Sequence, residues 1–340
     1  MDVFLDGWYI AATSKQVKKA PIRRVVEGKT LVLFRDEIGH VQALVDHCLH
    51  RGMKLSNGCV KQGTLECPYH GWRYNGKGEV VSQPALCDHE PLKSKTLSID
   101  SFPTLEQEEH IWVYIGHSPP KSPPFSFPFY GEKGWGHFFM HTQFEASVVA
   151  CLENFLDVPH TVYVHPGLFR KGGFTAVKAR ITKDSHSVKA EFLNEPVLTG
   201  IGPRLFFPKG TQMRHTDAFY LPSISRVDYT FSNNRAFLIT SQCTRQDDGI
   251  VNVTTHIAWN LPLPKMLCKP ILRAYCRHVI LQDVRLLKKI GQQTERFGPQ
   301  FLHTNADLLG RHIISLRKNA ADGTLDDNEA ISVFERELNL

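Results

Sequence analysis

The chain has 340 residues, a formal net charge of +6, 42% hydrophobic and 22% charged residues, which is ordinary for a water-soluble globular protein with room for two domain-sized cores. No apolar run reaches the length of a membrane span, and no cluster of Lys and Arg is interleaved with aromatics as nucleic-acid binding would require. A secretory leader is not expected either, since Asp2 and Asp6 interrupt the start and no basic stretch precedes an apolar one.

Residues 1–120 are rich in short strand patterns: Val25 to Arg35 with a Glu27-Gly28 turn, Val41 to Val45, and Ile111 to Ile115. Among them the chain reads Cys48-Leu-His50, sixteen residues, then Cys67-Pro-Tyr-His70. Two thiolates for one iron and two imidazoles for the other is the ligand set of a Rieske [2Fe-2S] cluster, in which imidazole raises the reduction potential. Zinc sites also use Cys and His, but usually as CxxC or HxxxH, whereas both pairs here are mixed. Arg51-Gly52 and Gly71-Trp72 follow the two pairs, so each ligand loop can fold tightly. Met53 and Tyr69 stand where the Rieske proteins of respiratory complexes carry an extra pair of cysteines.

His117 to Pro128 holds five prolines in twelve residues, which disfavours helix and central strand, so a domain boundary is expected there, with a Rieske domain over 1–120 and a second domain over 121–325. The second domain opens on a helix expected over 147–158. Asn154 and Asp157 would share one face of it, and His160 would continue that line beyond Pro159. His165 lies five residues further, a rotation of roughly 140° on a continuous helix, so the chain must bend between Pro159 and Pro166 for the two histidines to meet on one metal. Alternating patterns then predict strands at Val188 to Leu193, Phe219 to Phe231, Ala236 to Thr244 and Val251 to Trp259, followed by a helix from Pro270 to Ile290. Asp283 falls on the apolar side of that helix, near Val279, Ile280, Leu286 and Leu287. A carboxylate there needs a cation, a metal or several donors, so it is read either as the third ligand of a two-His, one-carboxylate iron site or as a salt-bridged or exposed helix residue. A tail over 326–340 has a cap-like Asp326 and apolar Ile331, Phe334 and Leu338 at helical spacing, and is expected to be a short docking helix.

Taken together, the Rieske quartet and, roughly ninety residues on, Asn154-x-x-Asp157-x-x-His160-x-x-x-x-His165 resemble the Rieske non-haem iron oxygenases. The likeness is to the terminal oxygenase subunit of the short single-subunit monooxygenase type that includes vanillate O-demethylase and phthalate oxygenase. It runs from Trp8-Tyr9 to about residue 290. It implies an α+β chain, an all-β Rieske domain followed by a helix-grip (START-like) domain whose antiparallel sheet curls around a long helix. It implies that Cys48, His50, Cys67 and His70 hold the cluster and that His160, His165 and Asp283 hold mononuclear Fe(II). Asp157 would link His160 to His70 of a neighbouring copy in a homotrimer, and Asn154 would stand near the iron or cap its helix. The activity implied is hydroxylation, or O- or N-demethylation, of a small organic substrate with O2. Ring cis-dihydroxylation is the alternative outcome, and a Rieske electron carrier or a hydrophobic-ligand binder is the alternative class.

No Gly-x-Gly-x-x-Gly and no plant-type Cys quartet is present, so electrons must come from a partner, an NAD(P)H-dependent reductase or a ferredoxin, which a basic surface would help to steer. Six cysteines remain beyond Cys48 and Cys67; beside a labile cluster and without an export signal they are read as free thiols of a cytoplasmic protein. For the substrate, Phe206-Phe207, Phe219-Tyr220, Tyr229 and Trp259 are candidate pocket or core aromatics, and Met213, Arg214, His215, Arg226 and His256 are adaptable or polar candidates, with Arg214 or Arg226 suited either to a substrate carboxylate or to a surface ion pair.

Overall fold

The computed structural model describes residues 4–87, 97–169, 175–196, 211–247, 249–262, 264–298, 302–326 and 330–340. The chain forms two compact units, Asp6–Ser126 with Thr244–Asp248, and Phe127–Cys243 with Gly249–Leu340 and the first five residues.

The smaller unit is all β. Its strands are β1 (Gly7–Thr13), β2 (Ile22–Val26), β3 (Lys29–Arg35), β4 (Val41–Val45), β5 (Cys59–Lys61), β6 (Thr64–Glu66), β7 (Arg73–Tyr74), β8 (Val80–Ser82), β9 (Ser101–Phe102), β10 (Thr104–Gln107) and β11 (His110–Ile115). They make three antiparallel sheets, ordered β1-β11-β10, β2-β3-β4-β9 and β5-β6-β7-β8. The turn between β2 and β3 is closed by Glu27 and Gly28, both at positive φ, where glycine carries no Cβ penalty. Val32, Phe34, Leu44, Leu55, Leu65, Tyr74 and Val80 pack around Cys48 and Cys67.

The larger unit is built on β12 (Gly136–Phe144), β13 (Ala176–Lys183), β14 (Ser187–Phe192), β15 (Met213–Tyr220), β16 (Ile224–Phe231), β17 (Arg235–Asp247), β18 (Ile250–Asn260) and β19 (Ser332–Asn339), paired as one sheet in the order β12-β18-β17-β16-β15-β14-β13-β19. With it pack α1 (Val148–Phe155), the short α2 (His160–Val164), the 33-residue α3 (Lys265–Phe297) and α4 (Gly310–Ala321). Alternation sets the inner face: Val177, Ala179 and Ile181 of β13 are buried between exposed neighbours. One core joins these to Phe144, Leu152, Phe219, Val253, Leu287 and Ile313, and each large side chain so removed from water is worth about 1.5–3 kcal/mol. Along α3 the buried residues are Cys268, Leu272, Cys276, Asp283 and Leu287, a stripe at helical spacing on which Asp283 is the only acid. This N-terminal β unit and C-terminal antiparallel sheet with helices are the α+β architecture expected.

Two expectations are corrected. The tail is not a helix over 326–338: residues Ser332–Asn339 form β19, antiparallel to β13 with Ala179 opposite Arg336 and Ile181 opposite Phe334. Phe334 and Leu338, four apart, share one face in either conformation, and the edge of β13 needs partners for its N–H and C=O groups, which decides for the strand. The pattern from Phe219 to Phe231 is not one strand but the end of β15, a turn at Leu221–Ser223, and β16; Pro222 has no N–H for a ladder. Among the described residues no helix is long and apolar enough to cross a membrane.

Candidate functional site

In the smaller unit, the two loops that carry Cys48 with His50 and Cys67 with His70 fold as the glycines require. Gly52 N–H donates to the Cys48 carbonyl at 2.8 Å and Gly71 N–H to the Cys67 carbonyl at 3.1 Å, and both glycines sit in the left-handed region at φ +72° and +69°. A Cβ at either would press on its neighbours, His47 at 3.1 Å and Pro84 at 3.0 Å. The turns leave Cys48 and Cys67 buried and His50 and His70 at the surface with ring centroids 4.5 Å apart. Trp72 stacks flat on His50 at 4.7 Å. Burial pushes the Cys67 thiol up, against the N–H groups of Tyr69 and His70. The Tyr74 hydroxyl lies 3.2 Å from Cys48 Sγ and accepts from Leu49 N–H at 3.1 Å. Two inner thiols and two outer imidazoles on adjacent tight loops fit a cluster with one iron on each pair.

In the larger unit, α1 ends at Phe155, earlier than the expected 158, and the chain bends through Leu156 to Pro159. His160 opens α2, and His165 leaves it at φ −119°, ψ 56°, so the second imidazole swings back toward the first. Their ring centroids are 5.2 Å apart. Asp283 comes from α3: its Oδ1 lies 3.1 Å from His165 Nε2 and 3.7 Å from His160 Nε2. One ligand atom of each of the three falls within 4.8 Å of the others, a separation a single metal ion can span.

The inner tautomers are set by neighbours. His165 Nδ1 is 2.7 Å from Gln282 Oε1, an acceptor that holds the proton on Nδ1 and leaves Nε2 with its lone pair. His160 Nδ1–H donates likewise to the Asp157 carbonyl, with the Asp157 carboxylate at 3.8 Å. Asp283 Oδ1 is buried and makes no hydrogen bond; burial works to raise its pKa, and only positive charge at His160 and His165 opposes that and holds it below the usual range. A buried carboxylate beside two imidazoles whose Nδ1 protons are held elsewhere leaves three lone pairs converging with no proton between them, and a divalent cation would supply the positive charge that keeps the carboxylate ionised. Asp157 is shifted the other way, pushed up by burial and, against His160, by Asp307 and Asp217. Asn154 is 8% exposed and its Oδ1 has no partner.

A cavity of about 120 Å³ adjoins all three residues of this cluster, its apolar lining including Phe155, Phe169, Val227, Tyr229, Phe237, Ile257 and Ile280. Its polar lining includes Asn154, His215, Asp217, Ser225, Ser241, Thr255 and Tyr275. A larger cavity of about 410 Å³ shares Asn154, Asp157, His160 and Asp217 but reaches neither His165 nor Asp283.

Of the other candidates, Tyr229 and His215 line the smaller cavity, whereas Phe219 and Trp259 are wholly core. Tyr220 ends β15, and Met213 packs with Phe169 and Tyr229. His256 belongs to an aromatic cluster with Phe127 and Phe139. Both arginines close ion pairs, Arg214 with Glu191 at 2.7 Å and Arg226 with Asp228 at 2.8 Å. Phe206 and Phe207 lie outside the described residues. Sequence reasoning missed Asp217 and Glu195, which hold His215 between them at 2.9 and 2.6 Å; the His-x-Asp spacing on an alternating strand was the available signal, because it puts both on one face.

Residues 7–103 match the model of the Rieske [2Fe-2S] domain, and residues 144–322 that of the vanillate O-demethylase oxygenase C-terminal domain. The oxygenase component of dicamba O-demethylase from Stenotrophomonas maltophilia is 28% identical over 194 residues, 54% of this chain and 54% of that protein. The chain spans about half the length, or less, of the curated relatives it matches. Among solved structures, dicamba monooxygenase bound to dicamba superposes with a TM-score of 0.80 at 19% identity, over 94% of this chain and 98% of that one. Pseudomonas putida CBB5 NdmA with caffeine gives 0.77 at 18% identity, over 96% of each.

Proposed function

Because the chain belongs to the Rieske oxygenase family that carries the vanillate O-demethylase oxygenase C-terminal domain, we propose that it is the oxygenase component of a multicomponent system. It would hydroxylate, or O- or N-demethylate, a small organic substrate with O2 and electrons from a separate NAD(P)H-dependent reductase or ferredoxin. The observation that carries this is the buried convergence of His160, His165 and Asp283 beside an apolar cavity, in a chain that also carries the Cys48, His50, Cys67, His70 quartet.

In this reading Cys48 and Cys67 hold one iron of the cluster and His50 and His70 the other, while His160, His165 and Asp283 hold Fe(II) on one face. When bound, the cluster supplies single electrons and the Fe(II) a site for dioxygen activation. The chain's own residues prepare for that. Gln282 and the Asp157 carbonyl fix the protons of His165 and His160 on Nδ1, so both Nε2 atoms stay available. The aromatic and aliphatic cavity wall would hold the substrate carbon against the three residues. Asp157, whose side chain is 38% exposed, would reach His70 of a neighbouring copy, and a closed ring of three such copies would repeat the contact. If the carbon attacked is an O-methyl or N-methyl, the hydroxylated product expels formaldehyde and the outcome is demethylation.

The test is iron and acid-labile sulfide per chain on anaerobically prepared protein, with substrate-dependent oxygen uptake. About three irons and two sulfides, falling to about two irons and two sulfides in Asp283→Ala with loss of uptake, is the expected result. Two irons in both proteins after Fe(II) reconstitution would leave an electron carrier.

A further inference from the structure

The long helix α3 has an outer face that the proposed chemistry does not use. Its inner side carries Cys268, Leu272, Cys276, Asp283 and Leu287 into the core. Leu267, Ile271, Ala274 and Leu281 follow one another at i, i+4, i+7 and i+14, one stripe on the opposite side of the helix, and all four are exposed. Leu267 is 60% exposed, Ile271 51%, and Met266, beside the start of the stripe, 80%. A large apolar side chain left in water forgoes the gain of burial, so three of them on the first two turns mark a surface made for contact.

The same helix is strongly basic. Its 33 residues hold eight Lys and Arg against two acids, Asp283 and Glu295, so its net charge of +6 equals that of the whole chain. From Lys265 to Lys289 every fourth residue is Lys or Arg except Leu281. Such a row winds slowly round a helix, and this one crosses the apolar stripe at Leu281. Lys288, outside the row, is paired with Glu145 at 2.7 Å, and Arg273 lies over the Phe138 ring at 5.7 Å. The side chains of Lys265, Lys269, Arg277, Arg285 and Lys289 are exposed and make no ion pair or hydrogen bond among the described residues.

Apolar side chains set among unpaired cations fit an anionic surface with an apolar layer just beneath it. At a leaflet of acidic phospholipid the ammonium and guanidinium groups stay at the phosphates while the apolar side chains reach the acyl boundary, and the negative surface potential draws the row of cations in. A second copy of the chain would set this row against itself, like charge on like. An acidic protein would answer the charges but would also have to offer a matching pocket for each of three projecting apolar side chains. A fluid leaflet receives them without a matching shape.

We infer that the outer face of α3 docks the protein on an anionic phospholipid surface, with Met266, Leu267 and Ile271 entering the boundary and the unpaired cations of the row on the headgroups. The contact is peripheral, since among the described residues no helix is long and apolar enough to cross a membrane. It does not depend on the oxygenase reading above.

The experiment is to sediment the full chain, purified with its iron, with vesicles of phosphatidylcholine alone and of equal parts phosphatidylcholine and phosphatidylglycerol. At low salt it is expected to partition onto the anionic vesicles about tenfold or more above the neutral ones. Salt at about 1 M, where the screening length is about 3 Å, should release most of it. Two variants divide the contact. Arg277→Gln with Arg285→Gln and Lys289→Gln should weaken anionic binding about tenfold or more. Met266→Ser with Leu267→Ser and Ile271→Ser should weaken it by a similar factor and remove whatever survives high salt. All six positions are exposed, so iron content and melting temperature should match the wild type and report separately on folding. Equal binding to the two kinds of vesicle, binding to neither, or binding intact in both variants would overturn the inference. If the wild type ignores both vesicles while donor-driven oxygen uptake falls in the charge variant, the face belongs to an acidic electron donor and the inference is likewise overturned.

Discussion

The two metal-binding regions are built from the same kind of side chain and placed oppositely. His50 and His70 stand exposed on glycine-closed turns, whereas His165 is 1% exposed and is held, with His160 and Asp283, by two helices and their neighbours. A centre that only receives and gives electrons needs an edge at the surface, since electron transfer requires approach but no entry of a molecule. A centre that served to oxidise a carbon, as proposed for the second region, would have to exclude water and hold its substrate, and burial beside a cavity suits that. Exposure of the shared imidazoles is thus what differs most between the two regions along one chain.

The largest effect expected from breaking this pairing is separable metal loss. Cys67→Ala should abolish the visible absorption of the cluster and all acid-labile sulfide while leaving about one iron per chain, the converse of Asp283→Ala, and either change should abolish oxygen uptake. Loss of all iron in Cys67→Ala would show that the two regions do not fold their sites independently.

A second contrast lies between buried and exposed imidazoles. His215, held at about 9 by Asp217 and Glu195, has a folded pKa above its ordinary value of about 6.5. Its contribution to stability is therefore complete below about pH 6.5 and is lost as pH rises through 9. That shift corresponds to something on the order of 3 kcal/mol. The melting temperature of the wild type should fall between pH 7 and 10, and that of Glu195→Gln should be lower at pH 7 and flatter.

Gln282 sharpens the comparison from the side of the metal. Gln282→Leu takes away the acceptor at 2.7 Å from His165 Nδ1 and should weaken Fe(II) binding by about 10–100-fold. Gln282→Glu, which keeps an acceptor, should restore much of it, and the cluster spectrum should be unchanged in both. Equal Fe(II) affinity in Gln282→Leu would remove Gln282 from the positioning of that ring.

The smallest effect belongs to the surface. The cross-strand pair Arg180–Glu335, at 3.3 Å and about half exposed on both sides, should cost under about 1 kcal/mol when Arg180 is changed to Ala, as read by chemical denaturation.

How much of this was legible in the sequence depended on distance along the chain. The Rieske quartet was readable because each ligand pair and its glycine occupy one tight loop, so spacing and geometry are nearly the same thing. His160 and His165 were readable for the same reason, with Pro159 marking the bend. Asp283 was ambiguous on its own, because its neighbour Gln282 and its partner His165 are 117 residues apart and only the tertiary fold makes that a contact. The tail misled because an i, i+4 pair such as Phe334 and Leu338 satisfies helix and strand alike, and the deciding factor was the unpaired edge of β13. The pairing of Glu195 with His215 was hidden, since it links the loop after β14 to β15 across twenty residues.

The hydroxyl of Tyr74 carries a further consequence. It accepts the Leu49 N–H and lies 3.2 Å from Cys48 Sγ, so with a thiolate at Cys48 the hydroxyl would be the donor to that sulfur. A proton aimed at a sulfur is held more firmly when the cluster gains an electron, which makes reduction easier. With a cluster on Cys48, a phenol outside the four-residue set would thus ease its reduction, and a Tyr74→Phe variant would read that effect as a lower midpoint potential.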